Sequence, residues 1–156
     1  MDTHALHHYP ARAELPRWLI VGFISGAASV LLFHQGALAL LHALQLAQRA
    51  PYSFAPTAPW GVPQVWSLVF WGAAWGAVLA ASLGRLDGAR LLACATLFGA
   101  VLPTLAAWFI VAPLKAQPIA AGCVVSAMAV GIVVNAAWGL GTGIGLALFG
   151  RHHAEA

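Results

Sequence analysis

The sequence predicts an all-α integral membrane protein: a four-helix bundle built as two repeated helical hairpins. Three observations lead there. Hydrophobic residues make up 62% of the chain and charged ones 7%, with a mean hydropathy of +0.85. A water-soluble domain of 156 residues needs far more charge on its surface. The acids Asp2, Glu14, Asp87 and Glu155, like all the arginines and the single lysine, fall outside the long apolar runs. Finally, one plan occurs twice. Ala73-Ala74-Trp75-Gly76 lies in an apolar run that stops at Gly84-Arg85, and Ala136-Ala137-Trp138-Gly139 lies in one that stops at Gly150-Arg151. Each is preceded by an apolar run opened by an arginine, Arg17 or Arg90, with Gly26 or Gly99 nine residues on.

Taken in order, residues 1–17 form a polar tail, and Pro16 suits the first turn of a helix, where its missing N–H costs nothing. The first span covers about residues 18–41. A bilayer core of roughly 30 Å needs about 20 helical residues, and a cleaved signal peptide has a shorter apolar region, so this is a permanent span. Its helical pattern continues through His42 and Gln45 toward Gln48. Pro51, Pro56, Pro59 and Pro63 make residues 50–63 an extended loop. The second span covers about 65–83, the turn 84–88 follows, and the third span covers about 91–111. Pro113, Lys115 and Pro118 form the next turn, and the fourth span runs over about 119–149, before a tail at 150–156. The whole chain, 1–156, is one transmembrane domain.

Orientation follows from the basic residues. Both termini share a side with Arg12, Arg17, Arg85, Arg90 and Arg151, and the other side carries only Arg49 and Lys115. This bias places both termini in the cytoplasm of a multi-pass inner-membrane protein. The formal charge of +3 therefore marks membrane edges and does not imply a nucleic-acid partner.

Small residues four apart let helix backbones approach closely in lipid. Gly22 with Gly26, Gly72 with Gly76, and Gly139 with Gly143 are expected to be packing contacts. Gly141 with Gly145 gives the last helix a second small face, and two such faces leave room for contact with another copy of the chain or with a larger membrane complex.

A few polar residues lie within the spans. At 1.5 Å per residue, His34 stands about 25 Å from Arg17, Asn135 about 24 Å from Arg151 and Thr104 about 21 Å from Arg90. Gln35 is adjacent, and Pro103 deprives the Gly99 carbonyl of its helical partner. His34, Gln35, Pro103, Thr104 and Asn135 thus share one height and are expected to form a polar cluster. Such a cluster either holds helices together or serves a solute.

Several chemistries find no residues. Ion-coupled transport has no intramembrane carboxylate to use. His34 and His42 on one helix sit about 80° and 12 Å apart, too far to take opposite faces of one metal. Cys94 and Cys123 enter from opposite sides, beyond disulfide reach. No Ser-His-Asp set, carboxylate pair or phosphate loop occurs, so neither an enzyme nor a cofactor is expected. His4, His7, His8, His152 and His153 share a side and have the imidazoles a transition metal takes, but their spacing matches no fixed site.

Phe33-His34-Gln35-Gly36, Pro51-Tyr52-Ser53, Pro59-Trp60-Gly61-Val62-Pro63, the run from Leu102-Pro103-Thr104 to Lys115, and Asn135 to Gly141 resemble small uncharacterised bacterial four-helix inner-membrane proteins. The likeness extends from Leu15 to Leu148. It implies an inner-membrane setting and carries no activity, substrate or cofactor. Two functions remain open: a structural or accessory membrane subunit acting through helix packing, and a small-solute transporter or channel with a polar site at His34, Asn135 and Thr104.

Overall fold

The computed structural model describes the backbone of residues 14–150 and the side chains from residue 17 onward. The histidines of the two tails, with Arg12 and Arg151, lie outside the described residues. Four long helices dominate: Arg17–Ala43, Gln64–Leu83, Gly88–Leu114 and Val125–Phe149, all long and apolar enough to cross a membrane. A helix satisfies its own backbone polar groups, so an apolar segment in helical form needs no water to pair them.

The first long helix starts inside the expected tail. Helix α1 (Glu14–Ser29) runs through a π turn at Val30–His34 into α2 (Gln35–Ala43). The helix does not continue to Gln48. Gln45 adopts a left-handed φ of 60°, and the N–H groups of Leu46 and Ala47 turn back to the Leu41 carbonyl. A two-stranded hairpin, β1 (Pro56–Thr57) with β2 (Val62–Pro63), then leads into α3 (Gln64–Leu83). The third long helix comprises α4 (Gly88–Ala106), a π turn at Ala107–Val111 and the short α5 (Ala112–Leu114).

The fourth long helix, α6 (Val125–Phe149), starts six residues later than the composition suggests. Ala120, Ala121, Gly122 and Cys123 have φ values of 49°, 53°, 67° and 59°, a left-handed path that no right-handed helix accommodates.

The first helix packs along the second, and the third along the fourth, with glycine at each crossing. A methyl group on Gly26 would lie 2.9 Å from Gly76 Cα, and one on Gly99 would lie 2.9 Å from Gly139 Cα. Both positions therefore exclude any side chain. The first and fourth helices join the hairpins, whereas the second and third meet less closely. The core between them contains Val30, Leu79, Leu91, Ala95, Trp138 and Leu146. Outside it the surface stays apolar, with Leu32, Phe70, Leu97, Phe109 and Val125 all exposed. An apolar surface of that extent requires a partner other than water.

At the arginine end, Trp18 donates its indole N–H to the Ala80 carbonyl at 2.8 Å and packs against Gly84 and Gly150. The opposite, loop end is uneven. The second helix has 20 residues against 27 in the first, a deficit of about 10 Å. The connection between them folds back along the first helix and fills that height.

Candidate functional site

The polar residues expected at one height fall into two separate groups. Asn135 lies on α6, one turn before Trp138, and Thr104 lies on α4 just after Pro103. Close approach at Gly99 and Gly139 brings these helices together, so Asn135 Nδ2 donates to Thr104 Oγ1 at 2.9 Å. Thr104 is 2% exposed. A hydroxyl that deep needs a partner, and the amide supplies it. Gly99, whose carbonyl Pro103 leaves without its helical donor, faces the Asn135 backbone.

His34 and Gln35 belong to the other group, beside the π turn. Gln35 is 2% exposed, and the loop satisfies it: the Tyr52 backbone N–H donates to Gln35 Oε1 at 2.7 Å. Tyr52 also donates its hydroxyl to the Leu31 carbonyl, inside the π turn, at 2.8 Å. Because a backbone N–H can only donate, it fixes the amide oxygen toward Tyr52 and the amide nitrogen toward His34. Gln35 Nε2 accordingly donates to His34 Nδ1 at 3.3 Å. Among the described residues no hydrogen bond joins His34 to Asn135 or Thr104. The cluster expected from matched heights is thus bonded as two groups, one in each hairpin.

Other interior polar groups are also bonded within the chain. Trp138 is 2% exposed and donates its indole N–H to the Gly26 carbonyl at 3.0 Å. The Trp138 carbonyl in turn accepts from Ser29 Oγ at 2.6 Å and from Thr142 Oγ1 at 2.9 Å. His42 Nδ1 donates to the Ala47 carbonyl at 2.9 Å and so folds the chain over after α2. Among the described residues, no three His, Cys, Asp or Glu side chains gather as a metal site would require.

The glycine faces are occupied within the chain. Gly22 meets Ala80 and Gly76, Gly72 meets Val30 and the Trp138 ring, and Gly143 meets Ala95. Gly141 and Gly145, the other small face of the last helix, face the first helix: Gly141 meets Phe33 and Ser29, and Gly145 meets Ser25. Sequence reasoning assigns no role to Tyr52 or Ser29. Tyr52 follows a loop proline with no periodicity, and one serine in an apolar helix gives no directional signal.

No family model, curated protein or solved structure matches the chain.

Proposed function

We propose that the protein is a small integral membrane protein that acts as a structural or accessory subunit of the inner membrane, with both termini cytoplasmic. One observation carries this reading: among the described residues, every buried side-chain nitrogen and oxygen already has a partner within the chain. A solute pathway needs polar groups with bonding capacity to spare, whereas here the buried ones are bonded within the chain. The matching glycine contacts of the two hairpins support a repeated unit whose copies enter the membrane in the same sense. The orientation rests on Arg17, Arg85 and Arg90 at one end against Arg49 and Lys115 at the other.

With the glycine faces consumed inside, contact with a second copy or a larger complex falls to the exposed apolar exterior, such as Phe70, Trp71 and Phe109. Extraction in native-lipid nanodiscs, followed by mass measurement, tests this. A particle holding more than one polypeptide is expected, and a single 16.2 kDa chain in every particle would refute the subunit reading.

The alternative, a small-solute transporter or channel, is favoured by one feature: His34 stands in a π turn, a geometry frequent at functional sites.

A further inference from the structure

We propose that the β1–β2 hairpin is a bilayer anchor, and that its partner is the headgroup and ester layer of the leaflet at the loop end. This rests on the reading of the chain as membrane-embedded.

The sequence of this connection does not suit a loop that faces water. No charged residue and no histidine occurs between Arg49 and Arg85. The other two connections carry charge, Arg85 and Asp87 in one and Lys115 in the other. What this connection exposes is large and apolar. Trp60 is 87% exposed and Phe54 65%, and Tyr52, Val62 and Trp66 are exposed as well. Tryptophan and tyrosine collect at membrane–water interfaces, where an apolar ring and a polar edge are both satisfied.

The backbone suits the same layer. Non-helical chain that meets lipid must satisfy its polar groups itself. Pro51, Pro56, Pro59 and Pro63 have no N–H to satisfy. The N–H groups of Gly61, Gln64 and Val65 donate to the carbonyls of Thr57, Ala55 and Ser53 at 2.8, 3.0 and 3.0 Å. Ala55 N–H donates to Ser53 Oγ at 3.3 Å, and the Thr57 hydroxyl to the Val62 carbonyl at 2.8 Å. Height agrees as well. Helix α3 has 20 residues, about what a bilayer core of roughly 30 Å requires. Its first two residues, Gln64 and Val65, are the ones bonded to the loop, so the hairpin stands where that span reaches the surface. The same loop starts the relay from Tyr52 through Gln35 to His34, and Tyr52 also bonds the Leu31 carbonyl. Anchoring the hairpin therefore holds the π turn of the first helix at a fixed depth.

Fluorescence quenching on the full chain in phosphatidylcholine–phosphatidylglycerol vesicles tests the anchor. Cys94→Ala and Cys123→Ala remove the two exposed thiols. Trp60→Cys, Phe54→Cys, Leu97→Cys or Asp87→Cys then takes a nitrobenzoxadiazole label. Trp60 and Phe54 are too exposed for their loss to unfold the chain, and either one alone decides the question. Labels at 60 and 54 are expected to emit blue of the label at 87. Lipid carrying a nitroxide near its headgroup should quench them, and aqueous iodide should not. Red emission with iodide quenching would place the hairpin in water and overturn the proposal. Blue emission that neither quencher reduces would mean that protein, such as a second copy, covers the hairpin, and would overturn it too. Leu97, exposed in the middle of α4, separates this from the wider reading. Quenching of its label by lipid nitroxides while positions 60 and 54 stay in water refutes the anchor alone, and no lipid quenching at 97 refutes membrane embedding itself.

Discussion

The two hairpins share a crossing and differ in what seals it. Gly26 meets Gly76 in the first as Gly99 meets Gly139 in the second, and each partner glycine closes an Ala-Ala-Trp-Gly sequence. One turn earlier the likeness ends. Gly72 leaves room for Val30 and the ring of Trp138, which reaches across from the other hairpin. Asn135 stands at the corresponding place and bonds Thr104 within its own hairpin. The tryptophans diverge too. Trp138 is sealed inside, while Trp75 is half-buried and meets Phe98 edge-on at 6.0 Å. Shared backbone geometry therefore sets the hairpins, and unshared side chains set how they join. The first hairpin receives a tryptophan, and the second holds itself with an amide.

The largest effects should be the same in both hairpins. Gly26→Leu and Gly99→Leu both drive a side chain into backbone, and each should cost about 3 kcal/mol or more, at the upper end of overpacking penalties. Thermal unfolding in detergent would show it, and a large loss in only one variant would break the equivalence.

Exchanging the tryptophans probes the difference. Trp138→Phe removes a buried donor and leaves the Gly26 carbonyl without it, at a cost of about 1–3 kcal/mol. Trp75→Phe keeps its aromatic contact and should stay within about 0.5 kcal/mol. Equal losses would mean that the joint between hairpins does not depend on Trp138.

The smallest expected effect is a coupling. Asn135→Ala and Thr104→Val should be non-additive by about 0.6 kcal/mol, a usual size for hydrogen bonds within membranes. His34→Ala combined with Asn135→Ala should be additive, since no hydrogen bond joins them. A double-mutant cycle by reversible unfolding measures both, and coupling between His34 and Asn135 would reunite the two polar groups.

Much of the fold was legible in the chain, because apolar length and glycine spacing act locally and survive packing. The four long helices and the crossings at Gly22, Gly26, Gly72, Gly76, Gly139 and Gly143 follow from those patterns. Boundaries set by backbone conformation were not. Nothing in Ile119-Ala120-Ala121-Gly122-Cys123 separates it from the helix that follows, yet four of its residues take left-handed angles. The site was legible in part. Counting rise along each helix placed His34, Thr104 and Asn135 at one height, but height carries no azimuth, so partners around the bundle stayed hidden. The Gln35 relay was least legible of all, since it depends on a loop tyrosine 17 positions away.

Solute flux in reconstituted vesicles tests the central claim, a bundle whose interior is spent on its own packing, most directly. Vesicles holding the purified chain should pass small charged and neutral solutes no faster than protein-free vesicles, and His34→Ala should change nothing. Saturable flux through the wild-type protein, lost in His34→Ala or Asn135→Ala, would contradict the account.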